Sequence, residues 1–258
     1  MTRIAAVLVR QHMAQAAPPG VDPARFLEAV AEDTYEVVAG LELVTPVLIT
    51  SVPGLDDIVW PGTEVITVAE DEPLKHILAR LQAGRERVAG VDQAGQEGVN
   101  NVVQASQAAQ VDQAGQVDQA AQAAQAAQAA QVDQAGQAGQ EAQATQVDQV
   151  CVVSADAPDL PPLLIGKLFR ELGRAEITIC PSENGGAVAM ACALPAPPWA
   201  DPDLDAYDVV KELRAQAPGP RRIATTPGWH RLRTPQDVER LDPGLEGWDN
   251  TRALVRAR

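Results

Sequence analysis

Two carboxylates three residues apart, Asp156 and Asp159, are the side chains of this sequence with the clearest potential for chemistry. They lie on either side of a proline and follow the apolar run 150–154. Carboxylate oxygens at this spacing could hold a hard divalent cation, which binds oxygen ligands and usually arrives with a phosphate. In the alternative, Asp156 caps a turn and Asp159 N-caps the next helix. The residues alone slightly favour this alternative, because Asp is common in such loops.

The elements around the two aspartates place them where ligand sites often lie. Residues 150–154 are apolar and β-branched, which predicts a short strand buried on both faces. The prolines that follow end this strand, and residues 163–172 carry leucines along one helical stripe. Asp156 and Asp159 are therefore expected in a strand-to-helix loop, at the carboxyl end of a parallel strand. Open α/β sheets bind ligands at that end.

The rest of the chain predicts an α/β fold with a mostly parallel sheet and helices on both faces. A helix is expected to begin after an Asp22 N-cap, with Pro23 in its first position, and to stop at Gly40. Strands alternate with helices along the sequence, which is typical of parallel sheets. The predicted strands are 4–9, 44–52, 64–68, 150–154, 175–180, 187–194 and 221–226. The predicted helices are 23–38, 73–88, 163–172, 204–215 and 235–241, with a polar tail or last helix over 244–258.

A low-complexity tract interrupts this pattern. From Gln104 to Gln149 every third residue is Gln, a period that defines no apolar helical face. We interpret residues 94–149 as a triplet-repeat insertion that is disordered or marginally helical, because it carries almost no large apolar side chain to bury. Residues 1–93 and 150–258 are then two halves of one domain. Interaction of the tract with a partner is the competing interpretation.

Composition narrows the classes of function. The formal net charge of −15 argues against nucleic acid or an anionic membrane as a partner, since both are bound through Lys and Arg. The apolar run 4–9 is too short for a signal peptide or a membrane span, so we expect a cytoplasmic protein. Three cysteines in apolar runs indicate reduced core residues. The three histidines are scattered, and His230 is a weak candidate for substrate contact.

Four segments in chain order carry a resemblance to a known family. They are Asp156-Ala-Pro-Asp-Leu160, Pro181-Ser-Glu-Asn-Gly-Gly186, Trp199 before a helix, and Arg233-Thr-Pro-Gln-Asp-Val238. Together they resemble the glycosyltransferase-A-type nucleotidyltransferases. The most similar branch is the small bacterial one that contains 2-phospholactate guanylyltransferase and glycosyltransferase-like relatives. The resemblance covers most of the chain outside the Gln-rich tract.

The resemblance implies a Rossmann-like domain that binds a nucleoside triphosphate or nucleotide-sugar and transfers part of it to a small phosphorylated or hydroxyl acceptor. Asp156 would hold Mg²⁺ on the nucleotide phosphates, and Asp159 would assist catalysis as an indirect partner. The implied nucleotide-binding residues are Arg10, Gly20, Arg25, Glu183, Gly185 and Gly186. A glycine pair allows close approach of a substrate, although an ordinary tight turn explains Gly185 and Gly186 equally well.

Two departures from the family leave catalysis open. Pro23 stands where the first loop usually has a lysine, and Arg231 and Arg233 stand where the late motif usually has two acids. In one interpretation, Arg231 or Arg233 replaces the cation and binds phosphate directly. In the other, the metal site has decayed, and the chain is a non-catalytic nucleotide-binding or regulatory module. The sequence does not indicate the oligomeric state.

Overall fold

The computed structural model describes residues 2–83, 148–242, 244 and 247–257. Contacts define two units, one made of Met1–Ala79 with Val147–Arg258 and the other of Arg80–Gln146. Of the second unit, residues 80–83 are described, and they are helical. Residues 94–147 of the Gln-rich tract lie outside the described residues. Its last two residues, Asp148 and Gln149, instead begin a strand, because Gln149 N donates a hydrogen bond to Thr2 O at 2.9 Å.

The described residues form an α/β fold. Its strands are β1 (Arg3–Val9), β2 (Thr45–Thr50), β3 (Glu64–Thr67), β4 (Asp148–Ser154), β5 (Ile177–Pro181), β6 (Ala187–Leu194) and β7 (Ile223–Thr225). Its α-helices are α1 (Pro23–Ala39), α2 (residues 74–83), α3 (Pro162–Glu171), α4 (Val209–Gln216) and α5 (Asp249–Arg256). Short 3₁₀ helices cover Gln11–Ala16, Asp56–Ile58, Pro220–Arg222 and Pro235–Arg240.

The strands join in one sheet in the order β3-β2-β1-β4-β6-β5-β7. Every strand pair is parallel except those of β6, which runs antiparallel to β4 and β5. This confirms the prediction of a mostly parallel α/β sheet. The chain reverses its direction of strand addition between β1 and β4, and the loops after these two strands leave the sheet at the same edge. Ligands of open α/β sheets bind at such a reversal point.

The core explains why these strands form. Every residue from Ile4 to Val9 and from Val150 to Ser154 is buried, so β1 and β4 are covered on both faces. On one face, alternate residues of β1 and β4 pack in a cluster that also contains apolar side chains of α1 and α3. Full burial of each large apolar side chain stabilises the fold by about 1.5–3 kcal/mol. The central strands therefore hold the loops that follow them in fixed positions.

Several predicted boundaries change for local reasons. Helix α1 begins and ends as predicted, since the Asp22 side chain accepts hydrogen bonds from Ala24 N and Arg25 N at 3.0 Å and Gly40 is the C-cap. The helix predicted from residue 204 begins at Val209 instead. Leu204 O accepts a hydrogen bond from Ala187 N at 2.8 Å, so this backbone pairs with the start of β6 and not with a helical turn. The predicted helix 235–241 is a 3₁₀ helix, and the final segment contains α5.

No helix among the described residues is long and apolar enough to cross a membrane.

Candidate functional site

Asp156 lies directly after β4, and a buried arginine meets its carboxylate. Arg231 Nε donates to Asp156 Oδ1 at 2.7 Å and to Oδ2 at 3.0 Å. Ser154 Oγ donates a further hydrogen bond to Oδ1 at 2.7 Å. The exposed fraction is 3% for Asp156 and 1% for Arg231, so water does not separate the two charges. Both carboxylate oxygens therefore have a cation of the chain itself beside them.

The rest of the Arg231 guanidinium is also engaged. Its Nη1 donates to Ala187 O at 3.2 Å and to Leu204 O at 3.0 Å, and its Nη2 lies 2.9 Å from Asp205 Oδ1. Burial alone would lower the pKa of Arg231, but the carboxylates of Asp156 and Asp205 outweigh burial and raise this pKa. Arg231 is thus a fixed positive charge. It links β4, the start of β6 and the segment around Asp205.

The residues around Asp156 do not fit a divalent cation. Mg²⁺ requires several oxygen ligands at about 2.0–2.1 Å in near-octahedral geometry. Here the Asp156 oxygens face a guanidinium, which would repel a metal ion at the same place. Across the described residues, no group of three or more His, Cys, Asp or Glu side chains is arranged to hold a metal ion. The predicted role of Asp156 as a Mg²⁺ ligand has no geometric support in this arrangement.

Asp159 accepts a hydrogen bond from an indole, lies next to an imidazole and does not cap a helix. Its Oδ1 accepts a hydrogen bond from Trp229 Nε1 at 3.0 Å, and its Oδ2 lies 2.9 Å from His230 Nε2. The N-cap of α3 is Pro161, which makes no side-chain cap, so the prediction that Asp159 caps this helix was wrong. The two rings stack on each other, with centroids 5.0 Å apart.

A cavity of about 430 Å³ lies at the carboxyl edge of the sheet, within the unit that contains β1 to β7. Residues from the loops after β1 and β3 and from the segment before α4 line it, among them Leu8, Arg10, His12, Glu70, Leu74 and Asp205. Arg10 Nη2 donates to Glu72 O at 2.7 Å, which ties the two loops together. Asp71, Glu72, Asp201 and Asp203 also contribute to the wall, so its formal charge is mainly negative.

Glu70 occupies a cradle of hydrogen-bond donors after β1. Its carboxylate accepts hydrogen bonds from Gln11 N at 2.8 Å, His12 N at 3.0 Å and Ser51 Oγ at 2.5 Å, and it lies 2.7 Å from His12 Nδ1. Partial burial works against the charged form of Glu70. The hydrogen bonds from Ser51, His12 and Gln11 outweigh it and lower the Glu70 pKa to about 2. This cradle therefore holds a negative charge.

Asp205 connects the cavity to the buried ion pair. One of its oxygens lies 2.9 Å from Arg231 Nη2 and 3.2 Å from Arg233 Nη2, and the other lies 3.6 Å from His12 Nε2. Charges of alternating sign thus run from Asp156 through Arg231 to Asp205, which lies next to His12, the partner of Glu70. Arg233 is half-buried, and burial together with the nearby Arg231 lowers its pKa.

The structure brings some of the predicted nucleotide-binding residues together and separates others. Arg10 lines the 430 Å³ cavity, and Gly20, with φ +88°, lines a neighbouring cavity of about 620 Å³. Arg25 lies elsewhere, in a groove between α1 and α5. Glu183 is exposed and forms an ion pair with Arg240.

The glycine pair is approached by the chain itself. Both residues have positive φ, +88° at Gly185 and +77° at Gly186. A Cβ on Gly185 would clash with the Tyr207 ring, and one on Gly186 would lie 2.5 Å from Leu204 O and from Arg233 Nη2. These contacts favour the tight-turn interpretation, because side chains and backbone already occupy the space a substrate would need.

Sequence reasoning did not single out His12 as a site residue, and it missed Glu70, Ser51 and Asp205. His12 is the third residue after β1, Ser51 follows β2 directly, and Glu70 is the third residue after β3. Their common signal is position, because each comes shortly after a parallel strand whose carboxyl end faces the same edge. Asp205 gave no such signal, since its loop does not follow a parallel strand.

Comparisons with known proteins concern the fold. No family model and no curated protein matches the chain. A solved structure described as a nucleotide-diphospho-sugar transferase from Desulfovibrio desulfuricans G20 is 15% identical, over 100% of this chain and 98% of that one, with a TM-score of 0.49. Rv0371c from Mycobacterium tuberculosis H37Rv, in complex with manganese, is 14% identical over 99% and 98%, with a TM-score of 0.43. A nucleotidyl transferase from Methanothermobacter is 12% identical over 100% and 99%, with a TM-score of 0.44. The activities and the manganese ion in these descriptions are properties of those proteins.

Proposed function

We propose that this chain is a non-catalytic nucleotide-binding module that binds its ligand without a divalent cation. The observation that carries the proposal is the contact of Arg231 Nε with both oxygens of Asp156, at 2.7 and 3.0 Å. A metal-dependent transferase needs those oxygens for the cation that neutralises charge on the transferred group. Here a guanidinium neutralises Asp156 permanently.

The cavity at the carboxyl edge supports ligand binding. Its volume of about 430 Å³ lies within the range of about 300–1,000 Å³ that is common for small-molecule sites. It lies beside the reversal point between β1 and β4, the usual ligand position in open α/β sheets. The carboxylates of its wall can accept hydrogen bonds from the hydroxyl groups of a ribose. Donors after β1 and the guanidinium of Arg10 are suited to a phosphate.

The same geometry argues against Arg231 as the phosphate-binding arginine. Its Nε and both Nη atoms already contact carboxylates or carbonyl oxygens, and the residue is almost completely buried. Arg10 is the arginine that lines the cavity, and we assign the phosphate contact to it. Arg233 is a second candidate because it is more exposed than Arg231, although Asp205 already pairs with it.

The test is isothermal titration of the full chain with the four common nucleosides and their triphosphates, once with Mg²⁺ and once with EDTA. We expect the nucleoside of one base and its triphosphate to bind, each with the same affinity in both buffers. Asp71→Trp, at an exposed position on the cavity wall, should abolish binding. Asp57→Trp, an exposed acid after β2 that does not line this cavity, should not. Binding that requires Mg²⁺ would indicate a metal-dependent transferase, and no binding by any base would refute the proposal.

A further inference from the structure

We infer that Glu70 is a built-in competitor for the phosphate of the ligand, so that the site is held closed by the chain's own carboxylate. This inference rests on the proposed function, because it concerns the regulation of the same cavity. A ligand phosphate can reach the donors after β1 only when the Glu70 side chain leaves them. Occupancy is then decided by competition between two anions for one set of donors.

The cradle has the composition of an oxyanion site. Two consecutive backbone N–H groups, from Gln11 and His12, point at one carboxylate, and the Ser51 hydroxyl and the His12 ring complete the set. These groups would serve a phosphate oxygen as well as a carboxylate oxygen, since all four can donate a hydrogen bond to an anion. A second anion a few ångströms from a charged Glu70 would be repelled. Phosphate and Glu70 therefore exclude each other.

The Glu70–His12 pair also separates two cavities. Both residues line the cavity of about 430 Å³, and both line the neighbouring cavity of about 620 Å³ that contains Pro19 and Gly20. Other residues of these two walls are not shared. Movement of Glu70 would therefore open one cavity towards the other in addition to vacating the donors.

Glu70 is placed to move without disturbing the core. Its side chain is 43% exposed, in contrast to the buried Asp156–Arg231 pair. It follows β3, the edge strand of the sheet, in a segment that carries two further acids. An exposed carboxylate held by hydrogen bonds and a partly exposed His12 can exchange between bound and free positions at modest cost.

The experiment compares the wild-type chain with Glu70→Ala and Asp57→Ala. Each substitution removes one negative charge, but only the first vacates the cradle. Each protein is titrated with inorganic phosphate, with the preferred nucleoside and with its triphosphate, while NMR follows the amide signals of Gln11 and His12. Glu70→Gln, which keeps the shape of the side chain and removes its charge, provides a second variant should Glu70→Ala disturb the loop.

If the wild-type cradle is open in one molecule in ten or fewer, Glu70→Ala should bind phosphate and triphosphate about tenfold more tightly or better. Nucleoside affinity should not rise, and phosphate should shift the Gln11 and His12 amides in the Glu70 variants at concentrations about tenfold lower than in the wild type. Equal phosphate affinity in wild type and Glu70→Ala would overturn the inference, and so would an equal gain in Asp57→Ala. If no protein binds any nucleoside, the proposed function fails, while the phosphate titration still decides the role of Glu70.

Discussion

Arg231 and Asp156 form an ion pair in which both members are almost completely buried. Removing two charges from water is costly, and the pair persists because its geometry recovers that cost. The guanidinium contacts two carboxylates and two carbonyl oxygens at once, which the planar fork of arginine allows and the single ammonium of lysine does not. The pair is therefore an integral part of the fold.

Replacing Arg231 tests this role. Arg231→Gln leaves Asp156 buried without its cation, and we expect the free energy of unfolding to fall by about 3–5 kcal/mol. Arg231→Lys should recover little of this loss. The matched control is Arg240→Gln, which breaks the exposed pair with Glu183 and should cost less than about 1 kcal/mol. Urea unfolding followed by circular dichroism measures both, and equal losses would mean that the buried pair of Arg231 stabilises the fold no more than an exposed ion pair does.

The sequence was a better guide to the position of Asp156 than to the side chains that contact it. Asp156 could be predicted as a site residue because a buried strand and a proline-rich turn fix its position locally. Its partner could not, because Arg231 is 75 residues away and reaches Asp156 only through the packing of the β6 and Asp205 segments. The same holds for Glu70, whose partners Gln11 and His12 belong to another strand-end loop.

At the scale of elements, hydrogen bonds to a buried aspartate of α1 connect this helix to α5. Asp33 of α1 is fully buried, and its carboxylate accepts hydrogen bonds from Asn250 N at 3.0 Å and Thr251 N at 2.8 Å, in the first turn of α5. Burial raises the pKa of Asp33 to about 6, although these hydrogen bonds act in the opposite direction. The contact therefore depends on pH.

The sign of this dependence follows from proton binding. Between about pH 4 and pH 6 the native state holds a proton on Asp33 that the unfolded state has lost, so stability should fall as pH rises through this window. Above pH 6, the total loss of unfolding free energy caused by the raised pKa of Asp33 should reach about 3 kcal/mol. Relative to Asp33→Asn, the wild-type chain should therefore lose unfolding free energy between pH 4.5 and 6.5 in urea titrations. A difference that stays constant with pH would contradict the prediction, and Asp57→Asn serves as an exposed control.

Helices and strands were predicted well where local signals agree and less well where distant contacts decide. The start of α1 follows from Asp22 and Pro23, and the strands β1, β4 and β6 follow from continuous apolar runs. Helix α4 starts five residues later than predicted because Leu204 O bonds to Ala187 N and Arg231 Nη1. No pattern within residues 204–208 reveals those two partners.

At the scale of the whole molecule, the Gln-rich tract separates two halves of one sheet. Strand β4 begins at Asp148, and the tract repeats the same Val-Asp-Gln residues at both of its ends. Deletion of residues 94–149 would place Asp92 and Gln93 in the positions of Asp148 and Gln149, next to Thr2 and Arg3. We predict that this shortened chain folds with a melting temperature within a few degrees of the full chain.

A slightly longer deletion is the matched control. Removing residues 92–149 also takes away the Asp-Gln pair, and with it the counterparts of the hydrogen bonds from Thr2 N to Asp148 Oδ1 and from Arg3 Nε to Gln149 Oε1. Its melting temperature should fall below that of the 94–149 deletion. Calorimetry measures both, and loss of the cooperative transition in the shorter deletion would show that the tract is needed for folding.

Across the molecule, side chains of the protein occupy the places that the family resemblance assigns to substrate and metal. Arg231 meets Asp156, to which the resemblance assigns a metal ion, and Tyr207 and Leu204 close on the glycine pair, to which it assigns the nucleotide. Under the proposed function, the guanidinium of Arg231 takes the place of a metal ion beside Asp156.

Paramagnetic Mn²⁺ tests this replacement most directly, because it broadens the NMR signals of amides near any site that it occupies. The wild-type chain is titrated with Mn²⁺ while the amides of Ala155 and Ala157, on either side of Asp156, are followed. We predict that both signals persist at Mn²⁺ concentrations that already broaden the amide signals of exposed Asp and Glu residues. The reason is that Arg231 contacts both oxygens of Asp156. Selective broadening of these two amides that saturates at one Mn²⁺ per chain would show a metal site at Asp156 and contradict a metal-free module.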